Sequence, residues 1–240
     1  MTSTARIEAE PVFLLHQRPY RNSSQLLECL SLHHGRVGLI ARGSRRQGRG
    51  MRALLQPFTP LRMSWSRRGE LGNLISVEDG SRAFALSGEH LLAGYYTNEL
   101  VMALTTRDDP APELFAHYSN CLGGLGAGER IERCLRLFEY RLLSVLGVGL
   151  QLDVDGDAGA PLQAEVHYKF ELDGGARKCT VADGIPGAHL IALREERLDD
   201  DASLRSARRL LAAALGSQLG ARRLKTRDVF ADIDARGLMA

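Results

Sequence analysis

Short apolar runs separated by glycine turns dominate the first third of the chain. Residues 25–30 and 36–41 are rich in apolar side chains and flank the segment His33-His34-Gly35. Glycine at this point can adopt the positive φ that a tight hairpin needs. About five such strands within residues 10–82 predict a small Greek-key barrel.

The hydrophobic period becomes helical after residue 88. Apolar side chains then recur three or four residues apart, most regularly in residues 129–146, where Ile131 and Phe138 share a face. The glycine-rich segment 123–128 predicts a flexible break before this helix. A further Ala/Leu/Arg-rich helix is predicted over residues 202–215, ended by a glycine.

Residues 151–201 interrupt this helical pattern. They contain 12 acidic and five basic residues, several glycines and two prolines, with one strand-like run before a turn. The sequence therefore predicts an α+β fold. An oligonucleotide-binding (OB) barrel occupies residues 1–82, and a helical domain occupies residues 83–240, with an irregular acidic insert at 151–201.

The charge is divided unevenly between these regions. The whole chain carries a formal charge of only +2, from 31 basic and 29 acidic residues. Residues 1–82 nevertheless hold 13 Arg and six acids, whereas the remainder is net acidic. From residue 16 to residue 68 there are 11 Arg and one acid, Glu28. A window of this kind attracts polyanions, although it could also be a solvated face without a partner.

Nucleic-acid binding is the function that this window favours. Barrels of the OB type follow a nucleic-acid backbone with basic side chains and stack bases on aromatic rings. Phe58 and Trp65 lie in apolar stretches and fit the barrel core better than a surface. No helix carries a basic stripe suited to the major groove, so we expect salt-sensitive binding without base specificity. The candidate DNA-binding residues are Arg18, Tyr20, Arg21, Arg36, Arg42, Arg45, Arg46, Arg49, Arg52, Arg67 and Arg68.

Catalytic and metal-binding patterns are weak. Asp153, Asp155 and Asp157 resemble the start of a calcium loop, but Ala158 stands where glycine is required and Ala164 where glutamate is required. An acidic, solvated turn is the simpler interpretation. No combination of nucleophile, base and orienting residue is visible. We therefore expect a protein without catalytic residues, metal or cofactor.

The cysteines and the absence of targeting signals indicate a soluble cytoplasmic protein. The four cysteines are scattered, form no CxxC pair and have no zinc-ligand spacing. The amino-terminal residues lack the apolar core of a signal peptide, and no run approaches the length of a membrane span. We expect no membrane association.

Several sequence blocks carry a family resemblance. The most specific are Gln-Pro-Phe-Thr-Pro at residues 56–60 and the block at residues 34–43. Together with the other blocks they resemble the RecO family of bacterial recombination mediators over nearly the whole chain. The blocks are residues 14–24, 34–45, 54–61, 68–71, 95–100, 135–143 and 224–227.

This resemblance implies a non-catalytic mediator of DNA repair, located in the cytoplasm at the nucleoid. It implies binding of single- and double-stranded DNA, annealing of complementary strands and a complex with RecR. That complex loads RecA onto DNA coated by single-strand-binding protein (SSB), and RecF is a possible indirect partner. Many relatives hold zinc with four cysteines in the insert. Here residues 151–185 contain only Cys179, so we expect local packing in place of zinc.

The resemblance also implies a site for the acidic carboxyl-terminal tail of SSB. The basic position that precedes the Phe-Glu pair in relatives carries over to Arg136. Arg133 and Tyr140, three and four residues away, would flank the same pocket. The alternative is a solvated helix face on which Arg133 pairs with Glu129, and Arg136 with the glutamate at 132.

Two other functions remain open from the residues alone. One is an RNA-binding OB-fold protein with a partner-binding helical domain, which competition between RNA and DNA oligomers would distinguish. The other is a nuclease, which would need a carboxylate metal cluster, and only the acidic turn at 153–157 could supply one.

Overall fold

The computed structural model describes residues 5–44, 51–81, 83–172, 174–181 and 184–229, and the side chain of Arg52 is not described. The chain divides into two compact units. The first consists of residues 1–127 and 224–240, and the second of residues 128–223. The domain limits 1–82 and 83–240 stay a prediction.

Five strands form a closed barrel in the first unit. They are β1 (Ala5–Tyr20), β2 (Ser24–Ser31), β3 (Gly35–Ala41), β4 (Pro60–Arg67) and β5 (Leu71–Asp79). Their order is β1-β2-β3-β5-β4, with β3 and β5 parallel and the other neighbours antiparallel. The predicted α+β fold with an amino-terminal five-stranded barrel is confirmed.

The barrel core is made of alternate side chains on these strands. Leu27, Leu39, Met63 and Trp65 are almost completely buried and belong to one apolar cluster. Side chains two residues apart lie on the same face of a strand, so a short apolar-rich run can fill a barrel interior. Trp65 is therefore part of the core, as its apolar sequence context indicated.

The turn between β2 and β3 is held by a buried carboxylate. The Ser31 hydroxyl donates to Glu10 Oε1 at 2.6 Å, and the His33 backbone N–H donates to the same oxygen at 2.7 Å. Burial acts to raise the pKa of Glu10, but these hydrogen bonds hold that pKa below its usual value. Gly35 follows with a φ of +63°, as the predicted hairpin requires.

The first unit also contains three named helices and a helical stretch at residues 225–229. The named helices are α1 (Met51–Leu54), α2 (Gly88–Leu104) and α3 (Pro112–Gly126). Asn98 on α2 donates to the Leu15 carbonyl at 2.9 Å and accepts from the Tyr118 hydroxyl of α3 at 2.6 Å. Buried polar groups of this kind need partners, so the network fixes both helices against β1.

The predicted break at residues 123–128 is wrong in most of its length. Helix α3 continues to Gly126, and the left-handed residue that follows it is Gly128, with a φ of +76°. Leu125 within this stretch and Leu122 directly before it are buried. A glycine inside a helix costs only about 1 kcal/mol. Burial of the neighbouring leucines is sufficient to offset that cost.

Aromatic packing explains part of the Gln-Pro-Phe-Thr-Pro block. Phe58 is buried, has a φ of +61°, and meets Tyr95 of α2 edge-on with 5.1 Å between ring centroids. A Cβ on Gly94 would lie 2.9 Å from the Phe58 ring. The block therefore packs the chain between α1 and β4 against α2.

The described part of the second unit contains three helices and a small three-stranded sheet. The 151–201 insert is more regular than the sequence pattern indicated, because it contains a sheet of order β7-β6-β8 and a helix. The last long helix runs through Gly216, and Gly220 follows it with a φ of +55°. The elements are α4 (Ile131–Val145), β6 (His167–Glu171), β7 (Gly175–Lys178), β8 (Ile185–Pro186), α5 (Gly187–Arg194) and α6 (Asp201–Leu219).

None of the helices formed by the described residues is long and apolar enough to cross a bilayer.

Candidate nucleic-acid interface

The strand register brings three of the candidate DNA-binding residues, Tyr20, Arg21 and Arg42, to one end of the barrel. Tyr20 pairs with Ser24 across the β1–β2 turn, and Gln25 pairs with Ala41 at the end of β3. Arg42 follows Ala41 directly, so it lies next to that turn. Side chains that are 22 residues apart in sequence thus become neighbours.

A cavity of about 550 Å³ lies at this end of the barrel. Its apolar lining residues are Ile40 and Met51, and Tyr20 also lines it. Small-molecule sites in proteins have volumes of about 300–1,000 Å³, so this space is large enough for a ligand.

The charged residues that line the cavity are cationic. Arg21 and Arg42 line it with exposed side chains, and the Arg21 guanidinium carbon lies 5.3 Å from the Tyr20 ring centroid. Within the described part of the chain, no acidic residue lines the cavity. The remaining polar lining residues are Ser23, Ser24 and Ser44.

Arg18 extends this cationic surface along β1. It is exposed and lies two residues from Tyr20 on the same face of the strand. Among the described residues, Arg18, Arg21 and Arg42 have no ion-pair partner. We call Arg18, Tyr20, Arg21 and Arg42 the turn-end surface.

Two other candidate arginines form ion pairs with carboxylates of the same unit. Arg36 donates to Glu28 Oε2 and to the Thr105 carbonyl, each at 2.9 Å, and its side chain is only 15% exposed. Arg67 makes a two-point ion pair with Asp108. The hydrogen bonds of this pair raise the pKa of Arg67 and lower the pKa of Asp108. Both guanidiniums therefore have an intramolecular role.

The structure describes less of the remaining five candidates. Arg68 is exposed directly after β4, and Arg52 lies in α1. The other three, Arg45, Arg46 and Arg49, lie outside the described residues.

Sequence reasoning did not identify the partners of Glu28. This carboxylate accepts from Arg36 and also from Arg107, which follows α2 in the chain. The sequence does mark Glu28 as the single acid in the basic window, but it does not show which arginines this carboxylate pairs with. The cavity residues Ile40 and Met51 were also missed, since each resembles an ordinary core residue in sequence.

The proposed tail-binding residues lie on α4 in the second unit. Arg136 is buried and pairs with Glu139 at 2.5 Å, whereas the sequence pointed to the glutamate at 132 as its partner. Arg133 is 34% exposed, pairs with Glu129 at 3.6 Å as predicted, and donates to the Glu196 carbonyl at 3.3 Å. Tyr140 is half-buried, and burial raises its pKa. The two arginines are thus both partly neutralised within the unit.

The acidic turn has a structural use. Asp155 is buried, and its Oδ1 accepts the backbone N–H groups of Asp157 at 3.2 Å and Ala158 at 2.5 Å. A short polar side chain that binds its own backbone in this way stabilises a turn. Over the described ranges, no three His, Cys, Asp or Glu side chains are grouped so that they could hold a metal ion.

Two of the four thiols, those of Cys29 and Cys134, are not activated as nucleophiles. Burial raises the pKa of Cys29 far above its usual range. Burial, followed by the charge of Glu129, raises the pKa of Cys134 to about 11. A thiol reacts as its thiolate, and these two thiols remain protonated at neutral pH.

The closed barrel and its strand order define an oligonucleotide-binding-fold protein that continues into a helical part. Residues 7–80 match the family Recombination protein O N terminal, and residues 86–228 match Recombination protein O C terminal. The chain therefore belongs to the recombination protein O family of DNA repair proteins, and the resemblance found in the sequence is confirmed.

Individual relatives agree with this assignment. The DNA repair protein RecO of Methylococcus capsulatus is 42% identical over 227 residues, which cover 94% of each chain. That of Coxiella burnetii is 41% identical over 229 residues, covering 94% of this chain and 99% of the relative. That of Nitrosococcus oceani is 38% identical over 236 residues, covering 97% and 96%.

Proposed function

We propose that this protein is a non-catalytic recombination mediator that binds single- and double-stranded DNA through the turn-end surface. The observation that carries the proposal is the cationic cavity, where Arg21 and Arg42 flank Tyr20 without an acidic neighbour among the described residues. A planar guanidinium binds two phosphate oxygens at once, and an aromatic ring stacks on any base. Binding is therefore governed by the backbone and tolerant of sequence.

Annealing follows from the same electrostatics. Two complementary strands repel each other through their phosphates, and a surface that neutralises both backbones lowers this repulsion. We propose that, together with RecR, the protein brings RecA onto strands coated by SSB, in the cytoplasm at the nucleoid. Membership of the family supports these partners.

Removing the two cavity arginines together should weaken DNA binding strongly. An Arg21→Ala/Arg42→Ala variant loses two charge-assisted contacts worth about 1.5 kcal/mol each, so affinity for a single-stranded oligomer should fall about 100-fold. The slope of log affinity against log salt should become shallower by about 1.4, or about 0.7 for each lost contact. Fluorescence anisotropy at several salt concentrations measures both quantities, and a strand-annealing assay should show a parallel loss of rate.

The matched control removes the same charge elsewhere on the barrel. Arg62 is exposed on β4 and donates to the Ala9 carbonyl at 3.3 Å, away from the cavity. Arg62→Ala should change affinity and salt slope much less than the double variant. Equal losses in the two variants would refute a localised site. Tighter binding of an RNA oligomer than of DNA would favour the RNA-binding alternative.

For the helical unit we propose capture of the acidic SSB tail near α4. Arg133, Arg136 and Tyr140 lie on this helix, and their cationic and aromatic groups suit a peptide with a carboxylate and an apolar end. Holding the tail and the DNA together raises the effective concentration of the protein at coated strands.

Substitution of either arginine should weaken binding of a tail peptide. Arg136→Ala is expected to reduce affinity at least tenfold, since a charged contact is worth about 1.5–3 kcal/mol. Arg133→Ala should also weaken binding. Because Arg133 is more exposed than Arg136, its replacement should disturb the fold less. Peptide anisotropy and thermal denaturation should be measured together.

The control for tail binding is Arg197→Ala. Arg197 is an exposed arginine of the same unit that pairs with Glu195. If both α4 variants fold and bind the peptide within about twofold of the parent, the site is not on this face of α4.

A further inference from the structure

We propose that the cavity beside the β1–β2 turn receives one unpaired nucleobase, so that it distinguishes single-stranded from fully paired nucleic acid. This inference rests on the proposed function of the turn-end surface and adds a base-binding pocket to it. Phosphate contacts alone would need only a cationic surface, whereas this surface borders an open cavity of about 550 Å³.

The lining of the cavity contains both kinds of group that a nucleotide needs. Ile40, Met51 and Tyr20 supply apolar surface against which a flat base can pack. Arg21 and Arg42 also line the cavity, and their exposed guanidiniums supply the charge that binds phosphate. A ligand with a flat apolar part and an anionic part uses both kinds of lining residue.

The backbone of Arg21 supports a functional use of its side chain. Arg21 has a φ of +51°, in the left-handed region where glycine has no steric cost and other residues do. A glycine would relieve the strain, but it would remove the guanidinium that lies 5.3 Å from the Tyr20 ring centroid. Strained residues of this kind concentrate at binding sites, and here the strain fixes a cation next to an aromatic ring.

The turn after β3, which also lines the cavity, is shaped by its backbone as well. Ser44 is buried, and its hydroxyl donates to the Ala41 carbonyl at 3.0 Å, which turns the chain after β3. Gly43, between Arg42 and Ser44, has a φ of +68°, a conformation that a residue with a Cβ adopts only with strain. This glycine and the Ser44 hydrogen bond together set the turn that lines the cavity.

A base can enter such a cavity only when it is not stacked inside a duplex. Paired bases are covered on both faces by their neighbours, and extracting one requires unstacking and unpairing. Single strands expose their bases without this cost. The pocket should therefore add affinity for single strands that duplexes of the same length do not gain.

The test compares oligomers that share a backbone but differ in bases. Anisotropy titrations at one low salt concentration should use a thymidine 20-mer, an abasic deoxyribose-phosphate 20-mer and a 20-base-pair duplex. We expect the abasic strand to bind about tenfold more weakly than the thymidine strand. Tyr20→Leu should lower affinity for the thymidine strand towards the abasic value and leave affinity for the abasic strand almost unchanged.

A spectroscopic signal separates base insertion from a general loss of structure. A single 2-aminopurine in the strand should change its fluorescence on binding, and Tyr20→Leu should reduce that change while Tyr20→Phe preserves it. The matched control is Tyr95→Leu, which removes an exposed tyrosine of α2 that does not line the cavity.

The outcomes distinguish this inference from the proposed function beneath it. Equal, salt-sensitive affinity for the thymidine and abasic strands would overturn the base pocket and leave phosphate binding in place. Absence of binding to all three oligomers would overturn the proposed function itself. A Tyr20→Leu variant that loses equal affinity for both single strands would also contradict base insertion.

Discussion

Glu28→Gln should be among the most destabilising single substitutions in the barrel, lowering the free energy of unfolding by about 3–5 kcal/mol. Glu28 is buried on β2 and accepts from the guanidiniums of Arg36 and Arg107. The amide keeps the shape of the side chain but loses its charge. Two guanidiniums, one of them only 15% exposed, would then remain without their carboxylate.

Urea denaturation followed by circular dichroism measures this loss as a shift of the unfolding midpoint. The control is Glu78→Gln, the same chemical change at an exposed position of β5 that has no ion pair within the described residues. It should change stability by no more than about 0.5 kcal/mol. Similar shifts in the two variants would show that the buried position of Glu28 is unimportant.

The charge pattern of the sequence predicted the region of the DNA surface but not its members. Counting arginines located the basic window, and the strand register then brought Arg21 and Arg42 together. The same count included Arg36 and Arg67, which form ion pairs inside the unit. The carboxylates that pair with these two arginines lie at very different distances along the sequence. Glu28 is close in sequence, whereas Asp108 follows α2, and only the tertiary fold brings it to the barrel.

The architecture was more predictable than the site because its signals are local. Alternating apolar runs and glycine turns lie within a few residues of each other, so the barrel strands and the hairpin at Gly35 could be predicted directly. The helical extent of α3 could not, because local propensity favours a break at its glycines and the burial of Leu122 and Leu125 decides otherwise. The cavity could not be predicted either, because Met51 and the β1–β2 turn come to line the same space only in the folded barrel.

Gly35→Ala should lower the free energy of unfolding by about 3 kcal/mol, for two separable reasons. The φ of +63° costs a residue with a Cβ about 1–2 kcal/mol. The new Cβ would also lie 1.9 Å from the Asp109 carbonyl oxygen, a backbone atom that cannot rotate away. Relieving this overlap requires a backbone shift, and overpacking of this kind costs about 1–3 kcal/mol.

Gly69→Ala separates the two contributions. Gly69 has a φ of +88° and, among the described residues, no atom within 4 Å of where a Cβ would stand, so this variant experiences backbone strain alone. Its stability loss should be about 1–2 kcal/mol. Urea denaturation of both variants gives the packing contribution as their difference. If the two losses were equal, close packing of Gly35 against Asp109 would contribute nothing.

The packing contribution should also be coupled to Glu28. The Asp108 N–H donates to the Arg36 carbonyl at 2.9 Å, so residues 107–109 run beside the start of β3. A Cβ on Gly35 that displaces this segment would draw Arg107 away from Glu28. A double variant, Gly35→Ala with Glu28→Gln, should therefore lose less stability than the sum of the single losses, by more than about 0.5 kcal/mol. Strict additivity would mean that the hairpin and the ion pairs stabilise the barrel independently.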